Sequence, residues 1–121
     1  MDLNDRLSET FDRGPRDGVD ALDPSDRELF RIQDFIIEYE MNGISGYFCN
    51  RLPDLDGIHA ALAAMRNHGL GRLAEPLGEA TTIFAKYVDP SSPSTWADVL
   101  RQYDPSGKLD RIRVLRNYGI V

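Results

Sequence analysis

The segment from Pro24 to Met41 places the tightest constraint on how this chain folds. Stepping residues around a helix at about 100° each, Leu29, Phe30, Ile32, Phe35, Ile36, Ile37, Tyr39 and Met41 spread over most of the circumference. Only Arg27, Arg31, Asp34 and Glu38 form a continuous polar stripe. A helix that is apolar nearly all round must be covered on several sides, so residues of about 24–41 are expected to form the buried central helix of the fold. The ends of this helix are written locally. Asp23 can cap free backbone N–H groups and Pro24 suits the first helical position. Asn42-Gly43 tolerate the left-handed backbone that terminates a helix. Gln33 and Glu40 fall inside the apolar sector and need polar partners there.

Other helical faces follow at the same period. Leu3, Leu7 and Phe11 recur every four residues, a short helix ahead of Gly14. Ser45 to Asn50 reads as a short helical turn presenting Tyr47 and Phe48. Asp54 or Asp56 caps the next helix, whose face is Ile58, Ala61, Leu62 and Met65 and which stops near His68-Gly69. Leu70, Leu73, Ala74, Leu77, Ala80, Thr81, Phe84 and Tyr87 make a longer face, within which Pro76 starts a new helix or kinks one. Ser94 is expected to cap a helix bearing Trp96, Val99, Leu100 and Tyr103. Leu109, Ile112, Leu115 and Tyr118 make a last face, with Arg111, Arg113 and Arg116 outside. No period-2 strand and no internal repeat occur. The fold class expected is all-α: an acidic N-terminal extension over 1–22, partly helical, and one helical domain over 23–121, a bundle of about five to seven helices around the central one.

A chain of 121 residues, 41% hydrophobic and 28% charged, has enough apolar material for one core. Its apolar runs are far short of the roughly 20 residues of a membrane span. The N-terminus lacks the basic start and apolar run of a secretory signal. With Cys49 the single cysteine, no internal disulfide is available, and a cytoplasmic location is expected. The net charge of -6 is unevenly spread. Residues 1–40 hold twelve carboxylates against five arginines, while residues 41–121 hold eight against nine basic residues. Such a field repels nucleic acid and anionic membrane and attracts a basic protein surface. Solubility alone is the plainer account of the same charge.

Catalytic and metal-binding chemistry each demand particular residue types at close spacing. A zinc site needs about four close Cys, His or carboxylate ligands. Cys49, His59 and His68 stand apart, and the two histidines fall on opposite sides of one helix. Cys49 has no base to activate it as a nucleophile. No phosphate-cradling or nucleophile-elbow glycine pattern is present. Glu75 and Glu79, one turn apart, read as a solvated face. The arginines at 111, 113 and 116 have no interleaved aromatics for nucleic acid. A non-enzymatic protein without metal or cofactor is expected.

Residues Glu38 to Asn50, Glu-Tyr-Glu-Met-Asn-Gly-Ile-Ser-Gly-Tyr-Phe-Cys-Asn, carry a further signal. They resemble a pattern in a bacterial DNA-mimic protein family: a helix ending in Glu, an Asn-Gly-Gly-Phe-like turn, Gln, an aromatic pair and a final Asn. Glu38, Gly43, Tyr47, Phe48 and Asn50 match it. The similarity runs over roughly 28–88, through the alanine-rich stretch Ala60–Met65, His68-Gly69-Leu70 and Leu73–Ala80. Asn42 stands where the pattern has Gly, Ile44 where it has Phe, and Gly46 where it has Gln. The resemblance implies an all-helical fold. It also implies an acidic homodimer whose carboxylates stand in for phosphates on the surface of a DNA-binding regulator. Gly43, Tyr47, Phe48 and Asn50 are turn and core positions in such a fold.

Three readings remain open. The first is an acidic module docking on a basic protein such as a DNA-binding regulator through Asp17, Asp20, Asp23, Asp26, Glu28, Asp34 and Glu38. Arg13, Arg16, Arg27 and Arg31 interrupt that series, and B-DNA carries about one charge per 1.7 Å of axis. The second is an immunity or antitoxin protein that covers a toxin's active site with the same surface. The third is a small-ligand domain with a pocket around Glu40, Tyr47 and Phe48.

Overall fold

The computed structural model describes residues 5–10, 12, 18, 21–52, 54–89, 95–107 and 109. Asp17, Asp20, the Ser94 cap and the Ile112–Tyr118 face lie outside these residues. The described part is all-α with no strand. Residues 5–10 (α1) are helical, followed by α2 (Pro24–Arg51), α3 (Leu55–Asn67), α4 (Gly71–Tyr87) and α5 (Trp96–Tyr103).

α2 is the expected centre. The Asp23 carboxylate accepts the Asp26 N–H at 2.8 Å, and Pro24 opens the helix. Leu29, Ile32, Phe35, Ile36 and Tyr39 are buried along its first limb. Gly43 then departs from helical geometry at φ 70°, ψ -173°, and the chain resumes as a second helical limb to Arg51. That backbone region belongs essentially to glycine, which explains the residue at the break. Met41 differs from expectation. It is 73% exposed, because it sits about 200° round the helix from Tyr39, whose side faces the core.

α3 begins at Asp54, whose carboxylate accepts the Gly57 N–H at 3.0 Å. It ends in a Schellman arrangement: Leu70 N–H donates to Met65 O at 2.8 Å and Gly69 N–H to Arg66 O at 3.3 Å, with Gly69 at φ 74°. Pro76 neither starts nor ends a helix. α4 starts five residues earlier and continues through it, losing one backbone hydrogen bond near its exposed first turns.

The core is knitted by aromatic rings from three helices. Phe48 lies 4.7 Å from Trp96 and 5.4 Å from Phe84 between centroids, and Tyr47 meets Phe35 edge-on at 5.0 Å. α1 joins through Leu7, and the Tyr39 hydroxyl donates to the Leu109 carbonyl. Among the described residues no helix is long and apolar enough to cross a membrane.

Candidate functional site at the helix kink

Asn50 and Glu38 are twelve residues apart, which in a straight helix is about 18 Å. Here Asn50 Nδ2 donates to Glu38 Oε2 at 2.9 Å. The Gly43 break makes this contact by folding the second limb of α2 back toward the first. Asn42 Nδ2 donates to the same oxygen at 3.1 Å, and Arg51 Nη2 reaches Oε1 at 3.5 Å. Arg51 also grips Asp34 with two nitrogens, Nε to Oδ2 at 2.6 Å and Nη2 to Oδ1. The two limbs are thus clamped by two carboxylates, two amides and one guanidinium.

The clamp is partly shielded. The Arg51, Asp34 and Glu38 side chains keep 30%, 19% and 20% of their exposure. Charged hydrogen bonds in such a setting are stronger than surface pairs, while desolvation limits their net gain. The Asn50 amide holds the Glu38 carboxyl below its ordinary value, with Asn42 and Arg51 adding to the effect against the opposing pull of burial. The bond to Asp34 raises the Arg51 guanidinium further. Tyr47 lies beneath, its ring centroid 6.0 Å from the Arg51 guanidinium carbon, and burial with the nearby Asp34 charge pushes its hydroxyl well above the usual phenol range.

A prediction follows from the depressed Glu38 carboxyl. Its contribution to stability is complete above the unfolded carboxylate range, near pH ~4.3. It is lost as pH falls through the lower folded value. Glu38→Gln is expected to lower stability at neutral pH and to flatten its decline on acidification. Denaturant titrations of both proteins from neutral to acid pH check this, and parallel curves would show that Glu38 carries none of the pH dependence.

The structure unites two groups of residues that the sequence kept separate. Asp34 and Glu38, read as docking acids, and Gly43, Tyr47, Phe48 and Asn50, read as turn and core, form one device. The other described acids are dispersed. Asp23 caps α2, Asp26 sits half-buried in its first turn, and Glu28 Oε2 meets His68 Nε2 at 3.2 Å. Asp17 and Asp20 lie outside the described residues. Sequence reading missed Arg51 and the Glu28–His68 pair, since neither has a local spacing signal. Only the kink brings residue 51 to residue 34.

Around Glu40, Tyr47 and Phe48 the two rings are buried and packed against their neighbours, with Glu40 half-buried. Open grooves lie elsewhere among the described residues. One of about 760 Å³ runs beside α4 between Arg66, Glu75 and Glu79, and one of about 300 Å³ is bounded by Ser45, Arg101 and Asp104. Among the described residues no group of three or more His, Cys, Asp or Glu is placed to hold a metal ion.

The fold and the clamp define an all-α domain built on a kinked, internally pinned helix. Comparison with family models, curated proteins and solved structures finds no match to this chain.

Proposed function

We propose that this protein is a non-enzymatic binding module that presents an acidic surface to a basic protein, such as a DNA-binding regulator. The observation that carries the reading is the twelve-to-five excess of carboxylates in residues 1–40. Glu9 and Asp12, on the N-terminal helical segment, and Asp23, at the start of α2, are exposed and hold part of that excess at the surface. Asp34, Glu38 and Glu28 serve the binding face less, because Arg51 and His68 already engage them within the chain. A charged surface of this kind raises encounter rates with an opposite field and loses that advantage with salt.

The test removes charge without touching the clamp. Glu9→Gln and Asp12→Asn neutralise exposed side chains, and Asp23→Asn keeps a good N-cap. Immobilised wild-type protein is expected to retain a basic partner from host lysate at low salt and release it as salt rises. The triple variant is expected to bind that purified partner about tenfold more weakly, a change of about 1.4 kcal/mol. Equal affinity, or affinity indifferent to salt, would sink the proposal. If the partner is a DNA-binding protein displaced from its DNA, the mimic reading gains. If it is a toxin silenced by binding, the immunity reading gains.

A further inference from the structure

Tyr87, the last residue of α4, and Tyr103, the last of α5, lie face to face at the surface. Their ring centroids are 3.9 Å apart and their planes within 12° of parallel. They are 40% and 41% exposed. Elsewhere a stacked pair of this kind would be core. Here it gains little burial and stands open to reagents, with Lys86 Nζ 5.4 Å from the Tyr87 ring. Tyr39 and Tyr47, at 0% and 2% exposure, are shut away from such reagents.

We propose that this pair is a modification site at which one-electron oxidants join the two rings into a dityrosine within a single chain. Each phenol gives up one electron and one proton. The two phenoxyl radicals couple between ring carbons ortho to their hydroxyls. The hydrogens on those two carbons then leave as protons while the oxygens regain two, so the pair loses two hydrogens in all. Hydrogen peroxide acting through a haem peroxidase takes up the two electrons and two protons and becomes two waters. Proximity governs the outcome, because a radical held against its partner couples before it meets another chain. The neighbouring Tyr87 side chain keeps the Tyr103 phenol above its ordinary value. The product ties the end of α4 to the end of α5, a covalent loop closure that restricts the unfolded chain as a disulfide does.

The experiment treats the full chain with a haem peroxidase and hydrogen peroxide. A Cys49→Ser background removes the exposed thiol as a competing reductant. Trypsin cuts after Lys86, Arg101 and Lys108, so the two tyrosines travel on separate peptides unless they are joined. The expected result is a joined pair of those peptides, lighter by two hydrogens, from the monomer band of a denaturing gel. Dityrosine fluorescence in that band should fall at least tenfold in Tyr103→Phe, whose circular dichroism should match the parent. Fluorescence confined to dimers, fluorescence that persists in Tyr103→Phe, or an oxidised monomer without the joined peptides would each overturn the proposal.

Discussion

Gly46→Gln is expected to cost about 2–3 kcal/mol of stability, and Asn42→Gly in the same chain to recover most of it. An ordinary helix-interior glycine behaves the other way, since replacing it with alanine gains about 1 kcal/mol. At Gly46 the break at Gly43 reverses the sign. A Cβ there would lie 2.2 Å from Asn42 Cβ, a distance that atoms cannot share. Only one of the two positions can carry a side chain. The Asn42 amide, bonded to Glu38 at 3.1 Å, supplies a polar group at the same turn. A double-mutant cycle by urea unfolding measures the coupling. Additive costs, or a stabilised Gly46→Ala, would show that the close approach is not real in solution.

Phe48→Ala carries the largest single loss expected here, about 3–5 kcal/mol. Domains of this kind hold about 5–15 kcal/mol in total, so the variant should be partly unfolded at physiological temperature. The ring is fully buried and touches rings from α2, α4 and α5 at once, through Tyr47, Phe84 and Trp96. Its removal leaves a void bordered by rigid rings that cannot collapse into it. Tyr47→Phe keeps the contacts with Phe35 and Phe48 and is expected to change stability by less than about 1 kcal/mol. Thermal melts of the two variants separate the roles. Similar losses for both would mean that the Tyr47 hydroxyl, rather than the packing of rings, holds this part of the core.

The parts of this fold that were legible in the sequence are those fixed by neighbouring residues. Asp23-Pro24 marked the start of α2, Asn42-Gly43 its break and His68-Gly69 the end of α3, because caps and left-handed backbone depend on chemistry within one turn. The apolar circumference of residues 24–41 identified the central helix, since burial on all sides follows from period alone. What was not legible depends on the angle at Gly43, which no local rule supplies. That angle sets the Asp34–Arg51 pair and the Glu38–Asn50 bond. It also changes the functional reading, because two carboxylates counted as free for a partner hold the helix together. Trp96 illustrates another limit: its Nε1 is buried with no hydrogen-bond partner among the described residues, while the ring fills the space beside Phe48 and Phe84.

The clamp also bears on the order in which this protein assembles. Its contacts between the two limbs join residues only twelve to seventeen positions apart. Closing loops of this length is among the cheapest and fastest steps available to a chain, on the order of 10–100 ns for about ten residues. Every partner in the clamp lies before Leu52, so a nascent chain leaving a ribosome exposes the whole device before α3, α4 or α5 has emerged. The later helices then meet a bent template whose curvature is already pinned, rather than a straight rod that must be bent in competition with their own docking.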